Sequence, residues 1–178
     1  MKIRTGFVTN SSSYSSAVIR IQSRKLASLL KEYEELFMKI YDDGSIDKSV
    51  LFHDAYVRGW TFYVVQDEVA DYWADTPTEL NSVLDCLING LGYYHRTENQ
   101  ESERKQKELL KELKAQKQKL TDSIQKVSWE FQDDSDGEFE VDGARVRTFT
   151  YDRENGGDGT YEESDRDNFA EFDFDEDE

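Results

Sequence analysis

Apolar residues return at three- and four-residue steps at Leu26, Leu29, Leu30, Tyr33, Leu36, Phe37 and Ile40, a spacing that predicts an amphipathic helix. Ser23 stands where an N-cap accepts free backbone amides, and the helix should end near Asp43 with Gly44 as its left-handed stop. The same spacing returns at Leu80, Val83, Leu84, Leu87, Ile88 and Leu91, with Cys86 beside the stripe. It follows "TPTEL", in which Thr76 and Glu79 make a capping box and Pro77 takes the first helical position. A third rhythm, Leu110, Leu113, Leu120, Ile124 and Val127, is heptad-like and broken by Lys117. With "TENQ" as a second box at its start, it predicts a long amphipathic helix over 97–127.

Strand signals flank these helices. Residues 3–8, broken by Gly6, and residues 17–21 read as two apolar-rich strands joined by a hydroxyl-rich link. Residues 49–57 and 60–66, rich in Val, Phe, Tyr and Trp, read as a hairpin turning at Arg58 and Gly59. In "GEFEVDGARVRTF", a turn at Asp142 and Gly143 sets Val141 opposite Ala144, Glu140 opposite Arg145, Phe139 opposite Val146 and Glu138 opposite Arg147. One face is then apolar, and the other carries two opposite-charge pairs worth about 0.2–1 kcal/mol each. Trp129 and Phe131 supply a third strand of this meander. After Tyr151, "DRENGGDGTYEESDRDN" is polar, glycine-rich and without period, which predicts loop or disorder.

These elements add up to an α+β fold with an N-terminal sheet, a helical pair, a C-terminal antiparallel meander and an acidic tail. At 178 residues the chain is long enough for one cored domain, expected over 1–151, with an acidic, aromatic-containing arm over 152–178.

Charge sharpens the division. The net charge is -17, yet from Asp133 onward there are 19 acids and 4 bases, net -15, which leaves residues 1–132 with 20 acids and 18 bases, net -2. A polyanion lacks the clustered Lys and Arg that bind a phosphate backbone, so direct nucleic-acid binding is not expected and a basic protein partner is. One cysteine makes no internal disulfide, no charged-then-apolar leader opens the chain, and no apolar run nears the roughly 18 residues of a membrane helix. The expected setting is the cytoplasm, with no membrane partner.

Candidate chemistry is sparse. Two histidines and Cys86 are a thin inventory for zinc. In the acidic loop before the meander, placing Gly137 at the sixth position of a calcium loop fits Asp134 and Asp136, but Gln132 and Gly143 fall at the first and twelfth. "ENGGDG" lacks the lysine and helix of a phosphate loop. The serines at 11–13, 15 and 16 have no base nearby in sequence, so a small serine hydrolase would need His53 or His95 brought by folding. No cofactor, no metal site and no catalysis are expected.

"KIRTGFVTNSSSYSS", through Arg4, Gly6, Phe7, Val8, Thr9, Asn10 and Ser11 to Ser13, resembles the opening R-x-G-F-V-[ST]-N-S-S-S of many otherwise dissimilar, mostly uncharacterised proteins of Gram-positive bacteria and their phages. Tyr14 departs from the more usual serine run, and the match covers under a tenth of the chain. The resemblance implies a phage or mobile-element setting rather than a reaction.

Together these readings predict a non-enzymatic inhibitor of the anti-CRISPR or anti-restriction kind, whose acidic surface mimics nucleic acid toward a basic host nuclease. Asp133, Asp134 and Asp136 on the meander loop, with Asp165, Asp167, Asp173, Asp175, Glu176, Asp177 and Glu178 on the tail, would meet its Lys and Arg. Phe172 and Phe174 would anchor the contact. The alternative is a structural adaptor that self-associates through the 97–127 helix.

Overall fold

Ile19 and Ile21 alternate with Arg20 and Gln22 on β1 (Ala17–Gln22), the isoleucines buried and the polar pair exposed, so this one strand assigns an inner and an outer face to the sheet built on it. The computed structural model of the chain describes residues 17–41, 43–47, 51–52, 55–64, 79–93, 99–131, 135–152 and 159–165. Strand β1 is flanked on one side by β4 (Ala55–Arg58) and β5 (Thr61–Val64). On the other lie β6 (Lys126–Phe131), β7 (Ser135–Asp142), β8 (Arg145–Asp152) and β9 (Thr160–Asp165). The seven-stranded order is β4-β5-β1-β6-β7-β8-β9, with antiparallel neighbours throughout. A small hairpin of β2 (Lys39–Ile40) and β3 (Ile46–Asp47) stands apart from it. The α+β class is therefore the one expected.

Among the described residues, four helices lie on the inner side: α1 (Arg24–Lys31), α2 (Leu80–Tyr93), α3 (Gln100–Ala115) and α4 (Lys117–Thr121). Their apolar stripes join Ile19, Ile21, Phe62, Val64, Val127, Trp129, Phe139 and Val146 in one buried cluster. All six stripe residues expected on α2 are in it. Among the described residues no helix is long and apolar enough to cross a membrane.

Ser23 caps α1 as predicted, its Oγ accepting from Leu26 N at 3.2 Å, and bonds Ser123 Oγ at 2.6 Å. The helix, however, stops at Lys31 rather than near Asp43. The chain turns after Lys31, passes through a 3₁₀ turn at Glu34–Leu36 and becomes extended at β2. Leu36 and Phe37 stay buried because tertiary contacts replace the helix: Phe37 stacks on Phe52 at 5.2 Å and meets Phe62 edge-on at 5.6 Å. Gly44, with φ of 80°, serves the β2–β3 turn instead of a helix stop.

The helix expected over 97–127 is likewise shorter. Asn99 is its N-cap, accepting from Glu101 N at 3.0 Å; α3 ends at Ala115, and α4 ends at Thr121. Val127 continues the apolar rhythm, but from within strand β6. Leu109, Leu113 and Leu120 are buried in this chain's own core, and the break at Lys117 is an ion pair to Asp85 of α2 at 2.6 Å. The stripe thus packs within the chain. Gln106 Nε2 donates to Leu91 O at 2.8 Å, tying α3 to the C-terminal turn of α2.

Both expected hairpins form with their turns one residue late. Arg58 pairs with Thr61 about Gly59 and Trp60, and Asp142 pairs with Arg145 about Gly143 and Ala144. Each turn opens on its glycine, with φ of 59° and 61°, a conformation that a residue with a Cβ adopts only at a cost. The slip gives the ladder Val141–Val146, Glu140–Arg147 and Phe139–Thr148, and Glu138 faces Phe149 rather than Arg147. Beyond Tyr151, where loop or disorder was expected, Thr160–Asp165 pairs with β8 as β9. Arg145 reaches Glu163 at 2.6 Å, and Thr150 Oγ1 and Thr160 Oγ1 lie 2.6 Å apart. The strand at 3–8, residues 65–66, and Thr76 and Pro77 lie outside the described residues.

Trp129 shows how tightly the inner face is packed. Its ring lies on Gly137 of the neighbouring strand and against Phe139 at 5.0 Å, and its Nε1 has no hydrogen-bond partner among the described residues. A Cβ on Gly137 would collide with that ring and with the Phe149 carbonyl oxygen. Gly137→Ala is expected to lower stability by about 1–3 kcal/mol, read as an earlier urea midpoint; an unchanged midpoint would show that the ring moves aside without loss.

Candidate binding face

The same alternation that buries the inner residues turns every second residue to the other side of the sheet, where no described helix packs. None of the outer-face side chains among the described residues is buried. Register aligns them in rows across the strands. One row runs Tyr56, Tyr63, Arg20, Ser128, Glu138, Phe149 and Tyr161, from β4 to β9. The next runs Arg58, Thr61, Gln22, Lys126, Glu140, Arg147 and Glu163.

The two halves of this face differ in charge. On β6–β9 the outer positions hold seven carboxylates, Glu130, Asp136, Glu138, Glu140, Asp142, Glu163 and Asp165, against Lys126, Arg145 and Arg147, net -4. Lys126 pairs with Glu138 at 2.6 Å and Arg145 with Glu163 at 2.6 Å, exposed contacts that fix side-chain positions more than they stabilise the fold. Phe149 and Tyr161 stand among these acids, 42% and 59% exposed, and the Phe149 ring covers Gly159. On β4, β5 and β1 the outer positions carry Arg20 and Arg58 and no carboxylate. There Tyr56 and Tyr63 stack at 4.7 Å with an interplanar angle of 6°.

Of the residues singled out from sequence, two are described. Asp136 sits on β7, half-buried, opposite Tyr151 and Glu130. Asp165 ends β9, exposed, opposite Arg145. The sheet does not bring them together: they mark opposite ends of the acidic half, with Glu138, Glu140 and Glu163 in the rows between. Asp133, Asp134, Asp167, Phe172, Asp173, Phe174, Asp175, Glu176, Asp177 and Glu178 lie outside the described residues, as do His53, His95 and the opening serines. Sequence reasoning missed Glu163 and Phe149 as face residues, although their two-residue spacing from Tyr161, Asp165 and Arg147 carries the signal.

Elsewhere the chemistry is muted. An open groove of about 400 Å³ between α1 and α3–α4 is lined by Arg24, Lys25, Glu32, Tyr33, Glu112 and Lys119, so charges of both signs line it. Burial, then the nearby Glu112 and Glu108, raise the Tyr33 pKa, which keeps the phenol neutral. Among the described residues no three His, Cys, Asp or Glu side chains gather as a metal-ligand set. No family model, curated protein or solved structure matches the chain.

Tyr56 gives the face a titratable reporter. Burial raises its pKa first and Tyr63 adds to the rise, while Arg58 and Arg20 oppose it. A pKa raised by folding makes stability fall as pH climbs from the unfolded tyrosine value, about 10, toward the folded one. Tyr56→Phe is expected to remove a step that lies above the ordinary tyrosine range from the near-ultraviolet absorbance titration and to flatten that alkaline loss; loss of a step at the ordinary tyrosine value, about 10, would contradict the placement.

Proposed function

We propose that this chain is a non-catalytic inhibitor that binds a basic nucleic-acid-handling protein through the acidic half of its outer sheet face, in the cytoplasm of a host cell. The observation that carries the reading is the pairing of charge with apolar surface: an open seven-carboxylate face with Phe149 and Tyr161 exposed in its middle row. Glu130 and Asp136 stand in register on neighbouring strands, about 4.8 Å apart, while the other five carboxylates alternate across the strands with Ser128, Phe149, Lys126, Arg147 and Arg145, which leaves a surplus of negative charge of the sign a phosphate-binding channel accepts. The aromatics supply desolvated contact area that charge alone lacks. Asp136 and Asp165 keep their proposed role, joined by Glu138, Glu140, Asp142 and Glu163. Asp133 and Asp134 precede β7 in sequence, and Asp167, Phe172, Asp173, Phe174, Asp175, Glu176, Asp177 and Glu178 follow β9 in sequence; all of them keep the partner-contacting role proposed for them. The opening motif supports the phage or mobile-element setting, in which the target class is a CRISPR or restriction nuclease.

The acids of β9 also guard a sheet edge, since charged side chains discourage edge-to-edge pairing. That role asks for charge of either sign. Binding a basic partner asks for negative charge, which gives the test. Cutting the chain at residue 132 would remove Phe139 and Val146 from the core, so charge reversal is the suitable variant. Glu140→Lys/Asp142→Lys/Asp165→Lys alters three exposed side chains and sets lysines opposite Lys126, Arg147 and Arg145, so stability is expected to fall by about 0.2–1 kcal/mol per cross-strand pair, with a native circular-dichroism spectrum as the fold control. In pulldowns from a Gram-positive host lysate, wild type is expected to retain a basic nucleic-acid enzyme at low salt and lose most of it near physiological ionic strength. The triple variant is expected to retain none; equal capture by both proteins, or capture indifferent to salt, would overturn the proposal.

A further inference from the structure

We propose that the groove between α1 and α3–α4 binds a short peptide with free termini, about three residues long, its ammonium at the Tyr33 end and its carboxylate at the Ser23 end, whatever the sheet face binds. The two walls of the groove run antiparallel. Ser23 Oγ meets Ser123 Oγ at 2.6 Å at one end, and Lys105 reaches Glu35 at 2.5 Å beyond the other. Arg24, Lys25 and Lys119 therefore lie toward the serine pair, and Glu32 and Glu112 toward Tyr33. All five charged side chains are exposed, and among the described residues no ion pair joins these bases to these acids. Arg24 lies over the Trp60 ring at 5.4 Å, and Glu112 accepts from Gln116 Nε2 at 2.9 Å, contacts that place the two charges without neutralising them. The groove is thus charged oppositely at its two ends.

The separation of the charges selects the ligand. Arg24 to Glu32 is eight residues of helical backbone, about 12 Å, and Glu112 to Lys119 is seven across the α3–α4 junction, about 10 Å. A ligand of one sign meets like charge at its far end, and a free amino acid, with both charges on one residue, is too short to span the groove. An extended tripeptide sets its ammonium and carboxylate about 10 Å apart, which matches. Ser28 and Gln116 stand between the charged ends to meet its amides, and Leu29 and Leu120, both buried, form the floor. Glu108 is paired with Arg104 at 2.7 Å and Glu35 with Lys105, so Glu32 and Glu112 are the acids placed to receive the ammonium. Tyr33 lines that end, where an aromatic ring adds attraction for a cation. The rise in the Tyr33 pKa, from burial first and then Glu112, Glu108, Glu32 and Glu35, agrees with a negative potential there. A volume of about 400 Å³ suits a ligand of this size.

The test is an NMR titration of the full chain with trialanine, compared with N-acetyl-trialanine, trialanine amide and alanine. Because the charged ends are exposed, trialanine is expected to bind weakly, with a Kd of about 1 mM. It should shift the amides of residues 24–33 and 112–120 and leave those of β7–β9 unmoved. Blocking either terminus is expected to weaken binding about fivefold, and alanine should bind more weakly still. Lys25→Gln/Lys119→Gln, a change at two exposed positions, is expected to narrow the gap between trialanine and its amide to less than about twofold while the preference for a free ammonium persists. A gap unchanged in that variant would overturn the assignment of the carboxylate end. The wild-type comparison stands whether or not the variant folds. Equal binding of free and blocked peptides, shifts at one end of the groove alone, shifts elsewhere, or no saturable shift up to about 10 mM would each overturn the proposal.

Discussion

Among the described residues, helices pack on one side of a seven-stranded sheet, and the rest of the structure follows from that constraint. The strands beneath the helices turn residues such as Ile19, Phe62, Trp129, Phe139 and Val146 inward, and every second residue, Phe149 and Tyr161 among them, is left on the outer side. Strand β1 bears the constraint most directly, because it is paired along both edges, with β5 and β6, and its two isoleucines are 0% and 1% exposed. Register passes the assignment outward from there: Ile19 aligns with Val64 and Trp129, and Ile21 with Phe62 and Val127. A slip of one residue would carry all of these to the wrong side.

The outer face then takes whatever the alternate positions hold, and they are not random. Arginine and stacked tyrosine occupy β4, β5 and β1, while carboxylates with Phe149 and Tyr161 occupy β6–β9. The net charge of residues 133–178 is thus partly organised as a surface rather than left as a solvated run. A sheet face holds side chains in fixed order at strand spacing, so charge arranged there can complement a fixed array of cations. The helices serve that face by supplying the buried cluster beneath it.

How much of this the sequence discloses depends on where the burial lies. The α2 stripe was legible in full because all its apolar residues face one core. The α1 and α3 stripes were over-read, since Phe37 and Val127 keep the helical spacing while sitting in extended chain held by tertiary contacts. Spacing alone does not distinguish a helix from a turn followed by a strand when both return to the same core. The hairpin at Gly143 was legible in its existence and wrong by one residue in its turn, because the glycine with positive φ takes the first turn position and not the second. The acidic half of the face was visible as composition. Its middle rows were not, for β9 buries none of its residues and therefore shows no apolar alternation.

The central claim is that the open sheet face, and not the helical side, meets the partner. Hydroxyl-radical footprinting of the full chain, alone and with the basic protein proposed as its partner, tests this directly, since Phe149 and Tyr161 are exposed on the sheet face and Tyr93, 57% exposed, ends helix α2. The account predicts strong protection of Phe149 and Tyr161 with Tyr93 still reactive. Protection of Tyr93 with Phe149 and Tyr161 unchanged would contradict it and move the interface to the helices.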